Sequence, residues 1–104
     1  MDLGKMQEML SAARGMQEQM DQRLAETVVE ADAGGGAVSV RMNGKKEVLK
    51  LTIAASAASA AAGDITLLED LILVAVNAAA RKADAAQQAS AAGMLGGHGL
   101  PGLG

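Results

Sequence analysis

Four basic side chains near the middle of this 104-residue chain are the best candidates for binding a partner. Arg41, Lys45, Lys46 and Lys50 share their stretch with a single acid, Glu47. The chain carries a formal charge of −3, so this local excess (four minus one, +3) leaves −6 for the rest. A basic ribbon on an acidic protein fits a polyanion, because Lys and Arg neutralise phosphates. It fits equally well the solvated face and protected edge of a small sheet, since edge lysines discourage strand addition.

No set of side chains is spaced for catalysis or for binding a metal. His98 is the single histidine and lies among glycines, whereas a general base must be held in position. Glu69 and Asp70 are adjacent, and adjacent side chains on a helix do not face one another. The chain has no cysteine, which excludes disulfides and thiolate metal ligands. We therefore predict that the protein is not an enzyme and has no cofactor or metal site.

The segment from about residue 2 to 25 has the pattern of a long amphipathic helix. Its apolar positions alternate steps of three and four residues: Met6, Met9, Ala13, Met16 and Met20. Polar side chains fill the positions between them, as on the outer face of a helix. A methionine row at this spacing is typical of packing between elements, and an adaptable groove for a partner is the alternative.

Three strands are predicted after this helix. They cover residues 27–32, 38–43 and 46–53, with a glycine turn at Gly34–Gly36 between the first two. In the second strand, Val38, Val40 and Met42 alternate with polar residues, which indicates one buried and one wet face. Asn43-Gly44 predicts a type I′ hairpin turn, because that turn needs positive φ at both central residues. The strands therefore form an antiparallel meander.

A second long helix is predicted near the C-terminus. Thr66-Leu67-Leu68-Glu69 fits a capping box at its start, and Gly93 is expected to end it. Its apolar stripe narrows from large residues to alanine: Leu68, Leu71, Ile72, Ala75, Val76, Ala79, Ala83 and Ala86. We expect the large residues to lie on the sheet and the alanines to allow close approach of another helix. Residues 54–63 are nearly all Ala and Ser, which favours a short helical turn or a loop.

Length and composition predict one domain that pairs with a second copy. Residues 1–92 form this domain, and residues 93–104 form a disordered, glycine-rich tail. The chain has no Phe, Tyr or Trp, and its many alanines bury little apolar surface. Because hydrophobic stabilisation scales with apolar area at about 25 cal/mol per Å², burial against another copy would help greatly. A homodimer is therefore expected.

Two further classes of partner are disfavoured by composition. No apolar segment approaches the roughly 20 residues that span a bilayer, so we predict a cytoplasmic protein without a membrane partner. The absence of aromatic residues removes the platform on which single-stranded bases stack. If the ribbon binds nucleic acid, duplex DNA recognised through its backbone and shape is the expected form.

Several segments, each weak by itself, occur together in order along nearly the whole chain. They are Met6–Leu10, Met16–Met20, Ala33–Val40, Met42–Val48, Leu68–Ala83 and Leu100–Gly102. This set resembles the YbaB/EbfC family of bacterial nucleoid-associated proteins. The resemblance implies an α+β protomer: a long N-terminal helix, a three-stranded antiparallel meander and a long C-terminal helix. It also implies an intertwined homodimer with projecting helical arms that binds double-stranded DNA, without cofactor or small-molecule substrate.

The combined hypothesis is a non-enzymatic, nucleoid-associated protein of the cytoplasm. As a homodimer it would bind double-stranded DNA and help to organise the bacterial chromosome or modulate gene expression. The predicted phosphate-binding residues are Arg41, Lys45, Lys46 and Lys50, followed by Arg14, Arg23, Arg81 and Lys82 on the helices. The alternative is a dimeric adaptor that binds proteins through its Met-rich helix and does not bind DNA.

Overall fold

The computed structural model describes residues 2–60 and 63–96. Along these residues the elements are α1 (Leu3–Glu26), β1 (Val28–Ala33), β2 (Val38–Asn43), β3 (Val48–Ile53), α2 (Ala55–Ala60) and α3 (Ile65–Gly96). This order confirms the predicted α+β fold of a long helix, a three-stranded meander and a second long helix. The short α2 confirms a helical turn in the Ala/Ser-rich segment.

Helix α1 is defined at both ends by local hydrogen bonds. Asp2 caps its start, where the carboxylate Oδ1 accepts from the Gly4 N–H at 2.9 Å. At its end, Thr27 donates its N–H to the Arg23 and Leu24 carbonyls. Leu24 is the one buried residue of the helix, and Met9 is 72% exposed. The methionine row of α1 therefore contributes no core within the protomer.

The sheet has strand order β1-β2-β3, with both neighbouring pairs antiparallel. The inner face of β1 and β2 is buried and packs against α3, and their alternate residues point to solvent, as the period of a strand requires. The residues of β3 are exposed except for Ile53, which is half-buried. The core consists of small and medium side chains: Ala31, Ala33, Val38, Val40, Met42, Ala75, Ala79 and Ala83. The predicted alternation of β2 is confirmed, since Val38, Val40 and Met42 are at most 2% exposed.

Helix α3 differs from the prediction at both ends. The Leu67 N–H donates to Asp64 Oδ1 at 3.1 Å, so Asp64 caps the helix and Thr66 lies inside its first turn. The predicted capping box was wrong because Asp is as good a cap as Thr. The helix also continues through Gly93 to Gly96, so the predicted end at Gly93 was wrong. Residues 97–104 of the predicted tail lie outside the described residues.

The apolar stripe of α3 packs on the sheet along more of its length than predicted. Its leucines and isoleucine are partly buried against the core, whereas Ala75, Ala79 and Ala83 are completely buried in it. The alanines therefore bring α3 close to the sheet rather than to another helix of the protomer. Small side chains make this approach possible, because each one keeps the helix backbone near the strands.

The β2–β3 connection also differs from the predicted two-residue turn. The Lys46 N–H donates to the Asn43 carbonyl at 3.0 Å, and the Asn43 N–H donates to the Glu47 carbonyl at 3.0 Å. Three residues, Gly44 to Lys46, therefore form the hairpin loop. Positive φ falls on Lys46, at 66°, rather than on Asn43 and Gly44. This is the three-residue hairpin in which the last loop residue is left-handed, and the type I′ prediction was wrong.

Contact with α1 explains why glycine occupies position 44. The Gly44 N–H donates to the Leu24 carbonyl at 2.8 Å, and a Cβ at Gly44 would lie 2.9 Å from that same oxygen. The residue is therefore required by a close approach of two backbones rather than by the turn type. The turn predicted at Gly34–Gly36 is confirmed, with positive φ at all three glycines.

Candidate nucleic-acid interface

Two of the predicted cations lie side by side on the outer face of the sheet. Arg41 pairs with Lys50 across β2 and β3, and with Glu30 across β1 and β2. Because Val40 and Met42 point towards α3, Arg41 points to the opposite, solvent-facing side. An open groove of about 430 Å³ runs over this face; its lining includes Glu30, Asp32, Ser39, Arg41, Lys50, Thr52 and Lys82.

Lys82 joins this groove from the other side of the molecule. It lies on α3, and its Nζ donates to the backbone carbonyl of Glu30 at 2.6 Å, which places its charge at the free edge of β1. Arg41 Nε lies 3.1 Å from Glu30 Oε1. Lys50 makes no ion pair among residues 2–60 and 63–96. Three cations and the carboxylates of Glu30 and Asp32 therefore line the groove, a net charge of +1.

The two lysines of the hairpin loop point away from each other. Lys45 Nζ lies 3.0 Å from Asp21 Oδ2 on α1, and Lys46 Nζ lies 2.6 Å from Asp84 Oδ1 on α3. The hydrogen bond to Asp21, together with its negative charge, raises the pKa of Lys45 above its ordinary value. The predicted ribbon is therefore not one continuous patch, because two of its four cations contact different helices.

Asn43 holds the loop that carries these lysines. Its Oδ1 accepts from the backbone N–H groups of Lys45 and Glu47, both at 3.0 Å. Its Nδ2 donates to Glu47 Oε1 at 2.8 Å. Asn43 is 3% exposed, so these bonds take the place of the hydrogen bonds that its amide would make to water. From the sequence, Asn43 is predicted only as a turn residue; its side chain bonds the backbone two residues on, as Asn often does.

A further contact that sequence analysis missed joins the loop to α3. Gln87 Nε2 donates to the Gly44 carbonyl at 2.7 Å. The hairpin loop thus bonds the end of α1 through the Gly44 N–H and α3 through the Gly44 carbonyl. No sequence pattern indicates this pairing, because Gln87 and Gly44 are distant along the chain and glutamine is common on exposed helix faces.

The remaining predicted cations lie on the helices, away from the sheet groove. Arg14 lines a shallow groove on α1 together with Gln17, Glu18 and Asp21. Arg23 lies in the last turn of α1, and Arg81 is exposed on α3. Of the four helix residues predicted as secondary contacts, the structure brings Lys82 alone to Arg41 and Lys50.

The described residues offer charge and hydrogen bonding rather than a built chemical centre. Within residues 2–60 and 63–96, no three His, Cys, Asp or Glu side chains converge where they could hold a metal ion. No helix in this part of the chain is long and apolar enough to cross a membrane. His98 lies outside the described residues. What the arrangement can do is bind anions through exposed Lys and Arg side chains.

Two relatives of this chain carry the same description, and a solved structure shares its fold. A nucleoid-associated protein of Acidobacterium capsulatum is 57% identical over 100 residues, covering 93% of both chains. One of Koribacter versatilis is 44% identical over 96 residues, covering 92% of this chain and 93% of the relative. The crystal structure of an uncharacterized Helicobacter pylori protein matches with a TM-score of 0.74 at 25% identity, over 92% of this chain and 99% of that one. Residues 2–98 match the YbaB/EbfC DNA-binding family, to which this chain therefore belongs.

Proposed function

We propose that the protein is a non-enzymatic, nucleoid-associated protein of the bacterial cytoplasm that binds double-stranded DNA as a homodimer. In this role it helps to organise the chromosome or modulates gene expression. Membership of a DNA-binding family and the description of its relatives as nucleoid-associated support the partner. The observation in the structure that carries the proposal is the convergence of Arg41, Lys50 and Lys82 on one groove.

The groove supports binding through the phosphate backbone rather than through base edges. Lys and Arg contact phosphates with charge-assisted hydrogen bonds that carry no sequence information. Lys50 makes no ion pair within the described residues, so its ammonium can contact a phosphate without first breaking such a pair. A second copy would double the number of such contacts on one duplex, and we propose that both copies contribute.

Fluorescence anisotropy of a labelled DNA duplex tests this proposal. A duplex of about 30 base pairs is suitable, because it is as long as a DNA site that a protein can bend. The affinity should fall linearly on a log–log plot between roughly 50 and 200 mM salt, with a slope near −0.9 for each phosphate neutralised. Absence of saturable binding at the lowest salt would contradict the proposed function.

A matched pair of variants tests the groove itself. Arg41→Gln with Lys50→Gln removes two charges there, and Arg14→Gln with Arg23→Gln removes two from α1. Each lost phosphate contact lowers the salt slope by about one, so the groove variant should lose about two contacts per protomer. The α1 variant should change the slope less. A larger loss in the α1 variant would assign the main contacts to the helices.

The exposed row on α1 favours a second candidate, the dimeric adaptor. Met6, Met9 and Met16 are between 43% and 72% exposed, and methionine adapts to irregular partners. Under this hypothesis the protein does not bind duplex DNA and the groove variant behaves as the native protein in every assay. The anisotropy titration therefore separates the two candidates before any protein partner is sought.

A further inference from the structure

Three of the cations predicted to bind DNA already have carboxylate partners within the chain. Arg41 lies 3.1 Å from Glu30, Lys45 lies 3.0 Å from Asp21, and Lys46 lies 2.6 Å from Asp84. These acids come from three different elements, β1, α1 and α3. A carboxylate oxygen accepts the same charge-assisted hydrogen bonds as a phosphate oxygen.

We propose that Asp21, Glu30 and Asp84 compete with DNA phosphates for Lys45, Arg41 and Lys46, and that this competition sets the affinity for duplex DNA. The inference rests on the proposed function, because it concerns cations that the sequence predicts to contact DNA. It adds a role for three acidic side chains that oppose binding. Their removal should therefore strengthen binding, which a structural role would not do.

The geometry makes this exchange easy. All six side chains are exposed to solvent, each by between 36% and 68%. Exposed ion pairs contribute little to stability, so each one can open when a phosphate approaches. The hydrogen bond to Asp21 also raises the pKa of Lys45, as expected for an ammonium paired with a carboxylate.

The competition also changes the salt dependence of binding. Each cation that moves from a carboxylate to a phosphate leaves an unpaired carboxylate behind, and that carboxylate attracts cations from the solution. Fewer ions are then released overall than the number of phosphate contacts implies. A protein without these acids should consequently show a steeper salt slope as well as a higher affinity.

Matched double variants test the inference in the full chain with the same labelled duplex. Glu30→Gln with Asp84→Asn removes two competing acids. Glu69→Gln with Asp70→Asn removes two exposed acids of α3 that make no ion pair among the described residues. Both changes remove two negative charges and so raise the net charge by two. The Glu30→Gln, Asp84→Asn variant should bind DNA more tightly than the Glu69→Gln, Asp70→Asn variant, by about two- to fivefold for each carboxylate removed. The salt dependence of its affinity should also be steeper.

A second measurement shows whether each acid acts through its partner cation. The gain from Asp84→Asn should disappear when Lys46 is already Gln, and the gain from Glu30→Gln should disappear when Arg41 is already Gln. A gain that persists without the cation would overturn the inference in favour of a general charge effect. Equal affinities of the two double variants would overturn it as well.

The outcomes distinguish this inference from the proposed function. If the native protein binds DNA and the two double variants match, the function stands and the competition is rejected. If neither the native protein nor any acid variant binds at low salt, both fail. Saturable native binding that becomes tighter in Glu30→Gln with Asp84→Asn than in Glu69→Gln with Asp70→Asn supports both.

Discussion

Gly44 joins the hairpin loop to the end of α1 and to α3. Its N–H donates to the Leu24 carbonyl at 2.8 Å, and its carbonyl accepts from Gln87 at 2.7 Å. A Cβ placed there would lie 2.9 Å from both the Leu24 carbonyl oxygen and the Leu24 Cδ2. Backbone atoms cannot yield to such a contact, so any larger residue must displace the loop from α1.

Substitution of Gly44 by Ala should therefore lower the free energy of unfolding by about 1–3 kcal/mol, the usual cost of overpacking. Thermal melts followed by circular dichroism measure this loss. Gly15→Ala is the matched control, because nothing lies within 4 Å of its would-be Cβ and alanine favours a helix. A Gly44→Ala protein that melts at the native temperature would contradict the close approach.

Asn43 supplies the second constraint on the loop. Asn43→Ala would leave the N–H groups of Lys45 and Glu47 without their side-chain acceptor. Both bonds are partly buried, and a hydrogen bond contributes about 0.5–1.5 kcal/mol to stability, so urea unfolding should show a loss of about this size for each bond. Ser39→Ala on the exposed face of the same strand should change the stability by less than about 0.5 kcal/mol.

The ion pair of Lys45 makes a prediction about pH. Its pKa is raised in the folded protein by Asp21, so its contribution to stability is complete below the ordinary lysine pKa. That contribution disappears as the pH rises through the higher, folded value. Asp21→Asn should return the pKa of Lys45 towards its ordinary value, and an NMR titration of the Lys45 side chain measures the change. No change would indicate that the contact is absent in solution.

At the scale of elements, the sequence predicts which segments are helix and strand because their periodicity is strong. The three- and four-residue steps of α1 and the alternation of Val38, Val40 and Met42 both match the structure. Ends and turns were less predictable because several residues could serve. Asp64 and Thr66 are both good helix caps. Asn43-Gly44 is compatible with both a two-residue and a three-residue hairpin loop, and contact with α1 favours the three-residue loop.

Removal of the Asp64 carboxylate tests the start of α3. Asp64→Ala should cost about 1 kcal/mol, because the Leu67 N–H loses its acceptor. Thr66→Ala, two residues further on, should change the stability by less than about 0.5 kcal/mol. Chemical denaturation of both variants measures the difference. The opposite ranking would restore the capping box.

The candidate site was predictable to a smaller extent than the fold. A run of Lys and Arg near one hairpin is visible in the sequence; Arg41 and Lys50 of this run lie on the sheet face, and Lys45 and Lys46 lie in the loop. Their partners were not visible, because Asp21 and Asp84 are brought to the loop by helices that start far from it in the chain. The charge of a stretch thus says little about how many of its cations are free.

The described part of the molecule is elongated, with extents of 69 × 34 × 17 Å. Its Cα radius of gyration is 20.0 Å, whereas a compact chain of about 100 residues has a radius near 13 Å. Large apolar side chains remain exposed on α1 and on the edge strand β3, where Val48, Leu49 and Leu51 are 40% to 52% exposed. These surfaces support the proposed homodimer.

Sedimentation velocity should consequently report twice the protomer mass of 10.4 kDa. Met9→Lys places a charge in the exposed row of α1 and should weaken the dimer if this row lies in the interface. Gln7→Lys adds the same charge at a polar position of the same helix and should leave the mass unchanged. A native protein that sediments as a monomer at all concentrations would contradict the proposed assembly.

The small alanine core has a consequence for the kinetics of folding. In the proposed homodimer, a chain that leaves the methionines of α1 and the side chains of β3 in water would gain much of its stability on meeting another copy. The refolding rate should then depend on protein concentration, as for a reaction of second order. Dilute, newly made chains would spend longer with an open strand edge, which is the state most prone to aggregate.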